Sequence, residues 1–383
     1  MVLPRVLLVA VGGFGGTYLR DMTTRDTGAE IAGVVEVMPD IREKCPVLVE
    51  RGIPVYSSLE DFYAVDHADL AVISSPIHLH TAMSLTCMRH GSNVLCEKPL
   101  CLTEEEVAQL DACCAETGRF LAVGYQLNYF RNVLAFKRDI LAGKFGKPLR
   151  VQAVHAYRRG SKYYARNNWA GHIHANGREV FDSPFTNASA HNFQMLSFLL
   201  GADMESACDI TGVEAELYRG NPHVENYDIA ALRFATDCGA TILYYTAHPH
   251  STEELGPYGR LEFERATVTY GADLCFHAVM NDGTTLDYAP AAPTGNRHMQ
   301  KLDDAIACTL HGGHPICGTK AELGHIRAVR LVQAQPIVDV DPSHVDIVEE
   351  EGRGTFYHVH NLENILLQSA RAWALPHEIG LSL

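Results

Sequence analysis

At 383 residues the chain is long enough for two domains, or for one large domain with an insertion. A hydrophobic fraction of 47% supplies a substantial core, while a net charge of −15 without any run of Lys or Arg argues against nucleic acid or an anionic membrane as partner. Eleven cysteines, an odd number scattered through apolar and helical runs, read as reduced thiols of a cytoplasmic protein, and no CxxC pair finds the second pair that a structural metal site needs.

The opening stretch, MVLPRVLLVAVGGFGG, runs from an apolar core straight into a glycine cluster. That pattern predicts a first strand over Arg5–Val11 rather than a signal peptide, and no other stretch approaches the length of a membrane span. A helical pattern follows to about Arg25. Strands are then predicted at Glu30–Val37, Ile53–Tyr56, Asp69–Ser74, Asn93–Cys96 and Phe120–Gly124. An amphipathic helix lies at about Leu79–His90, ended by Gly91, and another is capped by Thr103 with Glu106 at capping-box spacing. Strands alternating with helices imply a doubly wound parallel sheet.

Beyond Tyr125-Gln126 the pattern changes. A helix near Asn132–Ala142 precedes strands predicted at Leu149–Ala156, Asp209–Tyr218, Asp228–Ala235, Ala240–Ala247, Arg260–Phe263, Thr267–Tyr270 and Leu274–Val279. Few helices interrupt them, so this half reads as an α+β domain on a large, mostly antiparallel sheet. Helices are expected again near Met299–Leu310, Lys320–Gln333 and Leu362–Trp373. One more is expected from DSPFTNASAHNFQMLSFLLGAD, with Ser183 as N-cap, Pro184 in first position and Gly201 at the C-terminal cap. On that helix Asn187 and His191 would share a face. The division expected is 1–126 for a dinucleotide-binding domain and 127–383 for the remainder.

Ala10-Val-Gly12-Gly13-Phe14-Gly15 approximates GxGxxG, with alanine in place of the first glycine, and lies between a strand and a helix. Gly12, Gly13 and Phe14 would face a pyrophosphate at the helix N-terminus, and Gly15 would let helix and strand approach. Glu36 ends the second strand about 20 residues on, where an acid accepts from the adenosine ribose and repels a 2′-phosphate. The cofactor implied is NAD, with Arg42 near enough in sequence to keep NADP open. Ligands of an open parallel sheet bind outside its carboxyl ends. Ser75-Pro76, Glu97-Lys98 and Tyr125-Gln126 all follow predicted strands and share that edge with the glycine turn.

In order along the chain, VGGFGG, SSPIHLH, GSNVLCEKPL, VGYQ and NASAHNFQMLSFLLG resemble the motifs of the glucose-fructose oxidoreductase / inositol dehydrogenase / rhizopine catabolism (Gfo/Idh/MocA) family, over roughly residues 1–340. The resemblance implies a Rossmann domain followed by an α/β domain whose open-faced sheet binds substrate and makes dimers or tetramers. It also implies an NAD(P)-dependent dehydrogenase or reductase of sugars, cyclitols and related polyols. Carried onto this chain, the EKP lysine is Lys98 and the family histidine His191, both at the reacting hydroxyl, with Asn187 standing where the family has aspartate. Ser75, Pro76, His80, Glu97 and Gln126 fall beside the cofactor, and Tyr125, Trp169, His172 and His248 on the substrate side. Asparagine orients a histidine but does not favour its protonated form, which shifts proton transfer towards Lys98. His191 also reads as a core histidine on an amphipathic helix, and Trp169 as a packing residue. The HxH pairs, His172 with His174 and His248 with His250, lack an acid or cysteine suited to a metal. Two other functions stay open: NAD-assisted glycoside cleavage through transient oxidation, and a non-catalytic NAD-binding regulator. The segment after about 338 carries no legible motif.

Overall fold

The computed structural model describes residues 3–290 and 297–383. It divides into two compact units, one of residues 1–130 with 292–323 and one of 131–291 with 324–383. The single boundary expected at 126/127 therefore becomes a discontinuous one. The reason is visible in the helix Gln300–His311, whose Leu302, Ala305 and Ile306 bury with Val6, Leu8, Leu70 and Leu95 in the core of the first unit.

Six parallel strands form the first unit's sheet: β1 (Arg5–Val9), β2 (Glu30–Val35), β3 (Val55–Tyr56), β4 (Leu70–Ile73), β5 (Asn93–Cys96) and β6 (Leu121–Val123). Their order is β3-β2-β1-β4-β5-β6, the doubly wound order whose strand sequence reverses between β1 and β4. β4 and β5 are buried along their whole length, as strands covered on both faces must be, which explains their unbroken apolar runs. The helix Glu104–Thr117 starts at the predicted cap: Thr103 accepts from the Glu106 N–H at 3.2 Å, and Gly118 ends it in the left-handed conformation.

The second unit is built on nine strands: β7 (Pro148–Tyr157), β10 (Ile210–Arg219), β11 (Ile229–Thr236), β12 (Thr241–Ala247), β13 (Glu254–Phe263), β14 (Ala266–Tyr270), β15 (Phe276–Met280), β16 (Thr285–Tyr288) and β17 (Ile337–Asp339). A two-residue ladder, β8 (His174–Ala175) with β9 (Arg178–Glu179), stands apart from them. The order is β16-β15-β14-β13-β7-β12-β11-β10-β17, antiparallel except where β7 meets β12 and β10 meets β17. On one face Phe185, Phe193, Phe234 and Tyr244 pack together beneath the helix Ala190–Leu199.

The other face departs from expectation. It is open only in part, because the C-terminal segment folds over its centre. The hairpin β18 (Val345–Glu350) and β19 (Gly354–Val359) leads into the helix Leu362–Ala372. Leu362, Leu366 and Ala370 bury there against Val154, Ala156, Leu243 and Tyr245. Arg158 fastens the hairpin, its buried guanidinium reaching Glu253 at 3.0 Å and Glu350 at 2.5 Å. Tyr258 on β13 and Val279 on β15, two strands apart, stay about half exposed, at 52% and 51%. The segment without a legible motif is thus the cover of the sheet.

Candidate functional site

The turn after β1 is shaped by two close approaches. Ala10 takes φ +64°, the left-handed conformation that a glycine would adopt without strain, in the place of the fingerprint's first glycine. A Cβ on Gly15 would stand 2.2 Å from the Ala10 carbonyl oxygen, so only glycine lets the helix Gly15–Thr24 begin against the strand. Gly12, Gly13 and Phe14 are exposed, and nothing lies within 4 Å of where a Gly13 Cβ would sit. Glu36 closes the turn from the end of β2: Oε2 accepts from the Gly12 N–H at 2.9 Å, and Oε1 from the Val37 and Met38 N–H groups at 2.9 and 3.1 Å. A carboxylate has about four lone-pair sites, which leaves acceptor capacity for a ribose hydroxyl. At the end of β4 the buried Ser74 and Ser75 hydroxyl oxygens have no hydrogen-bond partner, as befits an edge built to receive a polar ligand. These residues fit a dinucleotide.

Behind Lys98 the chain builds a buried charge cluster. Glu97 accepts from Tyr18 at 2.6 Å and from Lys301, which also reaches the Gly124 carbonyl at 3.2 Å. Burial opposes ionisation of Glu97, but the Lys301 ammonium and the Tyr18 hydroxyl outweigh it and hold the carboxyl below its usual range. Glu97, expected beside the cofactor, is therefore engaged inward. His80 is turned inward too, its ring nitrogens 2.9 Å from the Pro99 carbonyl and 2.8 Å from that of Ser75. It ties the loop after β4 to the Lys98-Pro99 segment and stays neutral because burial lowers its pKa. Tyr125 is fully buried, its hydroxyl 3.5 Å from Glu322. Glu322 takes the Leu100 N–H at 3.2 Å, and its other oxygen is buried without a partner. Burial pushes this carboxyl up to about 8, against the pull of the Leu100 N–H, Tyr125 and the Lys98 charge. Lys98 thus has one acid behind it that stays ionised and one that is neutral at neutral pH. Gln126, half-buried, opens the short helix Gln126–Tyr129, and exposed Pro76 precedes the helix Ile77–Arg89.

In the second unit, the predicted helix start splits in two. Ser183 and Thr186 cap one another, hydroxyl to N–H, at 3.0 and 3.2 Å and close a separate turn. The helix begins only at Ala190, which puts His191 in its first turn and Asn187 in the turn before it. Asn187 Nδ2 donates to Asp182 at 2.7 Å and lies 3.4 Å from the Tyr163 hydroxyl, while Gly171 N–H holds the second Asp182 oxygen at 2.6 Å. A carboxylate thus lies one hydrogen bond behind the asparagine. His248 is buried, with Nδ1 at 2.8 Å from the Tyr164 hydroxyl; burial and the Arg159 charge drive its pKa well below the usual range. Arg166 lies between the rings of Tyr163, at 3.5 Å, and Trp169, at 5.1 Å. Asn187, His248 and Trp169 are thereby brought together around Tyr163, whereas His172 is half exposed and pairs with Glu225 at 3.3 Å. Among the described residues the one group of three possible metal ligands is Asp273 and Cys275, on the β14–β15 connection, with His277 at the start of β15.

Sequence reasoning missed Tyr18, Lys301 and Glu322, whose positions depend on distant packing. It also missed Arg159, Tyr163, Tyr164, Arg166 and Asp182. The run YRRGSKYYARNNW, basic and aromatic residues interleaved, was the signal available for four of them.

Residues 4–125 match the model of an oxidoreductase family with an NAD-binding Rossmann fold. Through this domain the chain is similar to the Gfo/Idh/MocA oxidoreductases, the match covering about a third of its length. It is 28% identical to inositol 2-dehydrogenase 1 of Saccharopolyspora erythraea over 203 residues, 52% of this chain and 55% of that protein. The chain thus aligns with about half the length of the curated relatives of this kind. Two solved structures superimpose more broadly. The WlbA dehydrogenase of Bordetella pertussis, in complex with NADH and UDP-GlcNAcA, gives a TM-score of 0.70 at 20% identity over 86% of this chain and 95% of that one. The aldose-aldose oxidoreductase of Caulobacter crescentus gives 0.67 at 19%, over 86% and 96%. At these identities the likeness is one of fold.

Proposed function

We propose that the chain is an NAD-dependent oxidoreductase that transfers a hydride between the nicotinamide and a hydroxyl-bearing carbon of a sugar, cyclitol or related polyol. The observation that carries this reading is the arrangement on the carboxyl edge of the first unit's sheet: a glycine turn closed by Glu36, with Lys98 following β5 above its buried charge cluster. Inositol 2-dehydrogenases among the relatives support the substrate class.

Gly12, Gly13 and Phe14 would hold the pyrophosphate, Glu36 the adenosine ribose, and Ser75, Pro76 and Gln126 the nicotinamide half, with Glu97 and His80 fixing the loops that carry them. When bound, the dinucleotide supplies the hydride acceptor or donor. Lys98 would stabilise the developing alkoxide or take the hydroxyl proton. His191 is its proposed proton-transfer companion, with Asn187 as orienting group, and Trp169, Tyr163 and His248 as substrate contacts. The second unit would then serve substrate binding, and what remains exposed of its sheet, around Tyr258 and Val279, would serve pairing into a homo-oligomer. Eleven free thiols agree with a cytoplasmic, reducing setting, and no helix among the described residues is long and apolar enough to cross a membrane.

The test is NADH formation across a panel of sugars and cyclitols, with Lys98→Ala and His191→Ala alongside. Turnover on one substrate class, abolished by Lys98→Ala, supports the reading. Cleavage of an aryl glycoside without net NADH, or NAD binding without turnover on the whole panel, would replace it.

A further inference from the structure

We propose that the substrate carries an anionic group, a carboxylate or a phosphate, held by Arg159 and Arg166 beside Tyr163. The inference rests on reading this cluster as the substrate-binding part of the second unit. Three adjacent facts lead to it. The Arg159 guanidinium lies 5.1 Å from the Tyr157 ring and 4.7 Å from the Tyr163 ring, and its Nε is buried without a hydrogen-bond partner. Arg166 also lies over the Tyr163 ring, at 3.5 Å, and donates to the Tyr163 carbonyl at 2.9 Å. Among the described residues neither arginine has a carboxylate at ion-pair distance, whereas the preceding Arg158 has two, Glu253 and Glu350.

In a chain with 46 acidic and 31 basic residues, two guanidiniums on one tyrosine, neither with an acid at ion-pair distance among the described residues, are not background charge. Each lies over two aromatic rings, which restrict the guanidinium before a ligand arrives and leave its N–H fork suited to two-point contact with an oxyanion. The carboxylate in the cluster, Asp182, is engaged by Asn187 and the Gly171 N–H. The buried acid behind Tyr164, Asp228, is engaged by the Gly220 and Asn221 N–H groups at 2.7 and 2.9 Å. Neither stands at ion-pair distance from Arg159 or Arg166. His248, with Nε2 buried and unpartnered, is a neutral imidazole suited to a hydroxyl and not to the charge.

The experiment measures binding by calorimetry, with NAD present, of D-glucuronate, D-glucose 6-phosphate and D-glucose, and steady-state kinetics with any that turn over. At least one anionic sugar is expected to bind tenfold or more tighter than glucose, which tells carboxylate from phosphate. Arg166→Gln, at an exposed position, should cut that preference at least fivefold, through KM with kcat little changed. Arg159→Gln should abolish it and Arg159→Lys should restore part. The proposal is overturned if glucose binds as well as both anions, if neither anion binds, or if Arg166→Gln leaves the preference intact. Anion binding without NADH formation would support this inference while removing the dehydrogenase reading. Turnover of neutral sugars alone would do the reverse.

Discussion

Lys301, from a helix more than two hundred residues along the chain, is fully buried and donates to Glu97, the acid that directly precedes Lys98. The pair explains why an acid sits at this strand end: it is the anchor of the loop that presents the lysine. Removing one partner leaves a buried charge uncompensated, at a cost of about 3–5 kcal/mol, while removing both together costs far less. Lys301→Met is therefore expected to lower the urea midpoint sharply and weaken NAD binding, and Lys301→Met combined with Glu97→Gln to recover most of the stability. Equal destabilisation by the single and double variants would contradict the pairing.

The glycine turn makes opposite predictions at two of its ends. Ala10 is held at φ +64°, so Ala10→Gly relieves a left-handed strain of about 1 kcal/mol and should raise the melting temperature by a few degrees. Gly15→Ala drives a methyl to 2.2 Å from a backbone oxygen and should abolish NAD binding, whereas Gly13→Ala meets nothing and should leave the fold intact. Thermal melts and NAD titration of the three variants decide it.

Glu36 fixes coenzyme choice in this account, since its carboxylate is pinned by three backbone N–H groups. Glu36→Ala should lose at least tenfold in the ratio of NAD to NADP affinity. A ratio unchanged in fluorescence titrations would remove Glu36 from the ribose site.

Much of the first unit was legible because each of its signals is local. Apolar runs bounded by turns give buried strands, Thr103 with Glu106 spells a cap, and strands alternating with helices imply a doubly wound parallel sheet. The edge position of Lys98 needed nothing more. Lys301 and Glu322 were not legible, because a lysine and a glutamate on amphipathic helices read as solvent-facing until the helices dock. Ser183 was read as the N-cap of one long helix, and its reciprocal bonds with Thr186 close a separate turn instead. A hydroxyl three residues away competes with the helix for the same N–H groups. The cover of the sheet was missed for a different reason: amphipathic pattern shows that Leu362–Ala372 buries a face, never which surface receives it.

That cover has a consequence for assembly. Leu366 is fully buried against the sheet, and Leu366→Asp would place an unpaired carboxylate there at a cost of several kcal/mol. The helix should detach and expose Val154, Leu243 and Tyr245, an apolar strip suited to self-association. Size-exclusion chromatography of the full-length variant is expected to show larger species than the parent protein. A variant that elutes like the parent would mean that the helix does not shield this face.

The pH dependence of stability turns on Glu322. Its carboxyl is raised by burial to about 8 and that of Asp228, likewise by burial, to about 7, both above their unfolded values. Between those values the folded protein binds more protons than the unfolded chain, so these two groups stabilise most at low pH and lose that contribution as pH rises. Buried histidines act the other way: His248 and His250 are depressed by burial, so stability from them grows as pH rises towards about 6.5 and is complete there. Above that point the acids act alone until thiols begin to ionise in the unfolded chain near about 8.5. Stability should therefore peak near about pH 6.5 and fall by on the order of 1–2 kcal/mol by about pH 8, mostly through Glu322. Glu322→Gln removes the titrating proton and should flatten this limb of a urea-midpoint profile, leaving the acid limb in place. A parent protein whose midpoint holds constant from pH 6.5 to 8 would show that Glu322 does not carry a raised pKa.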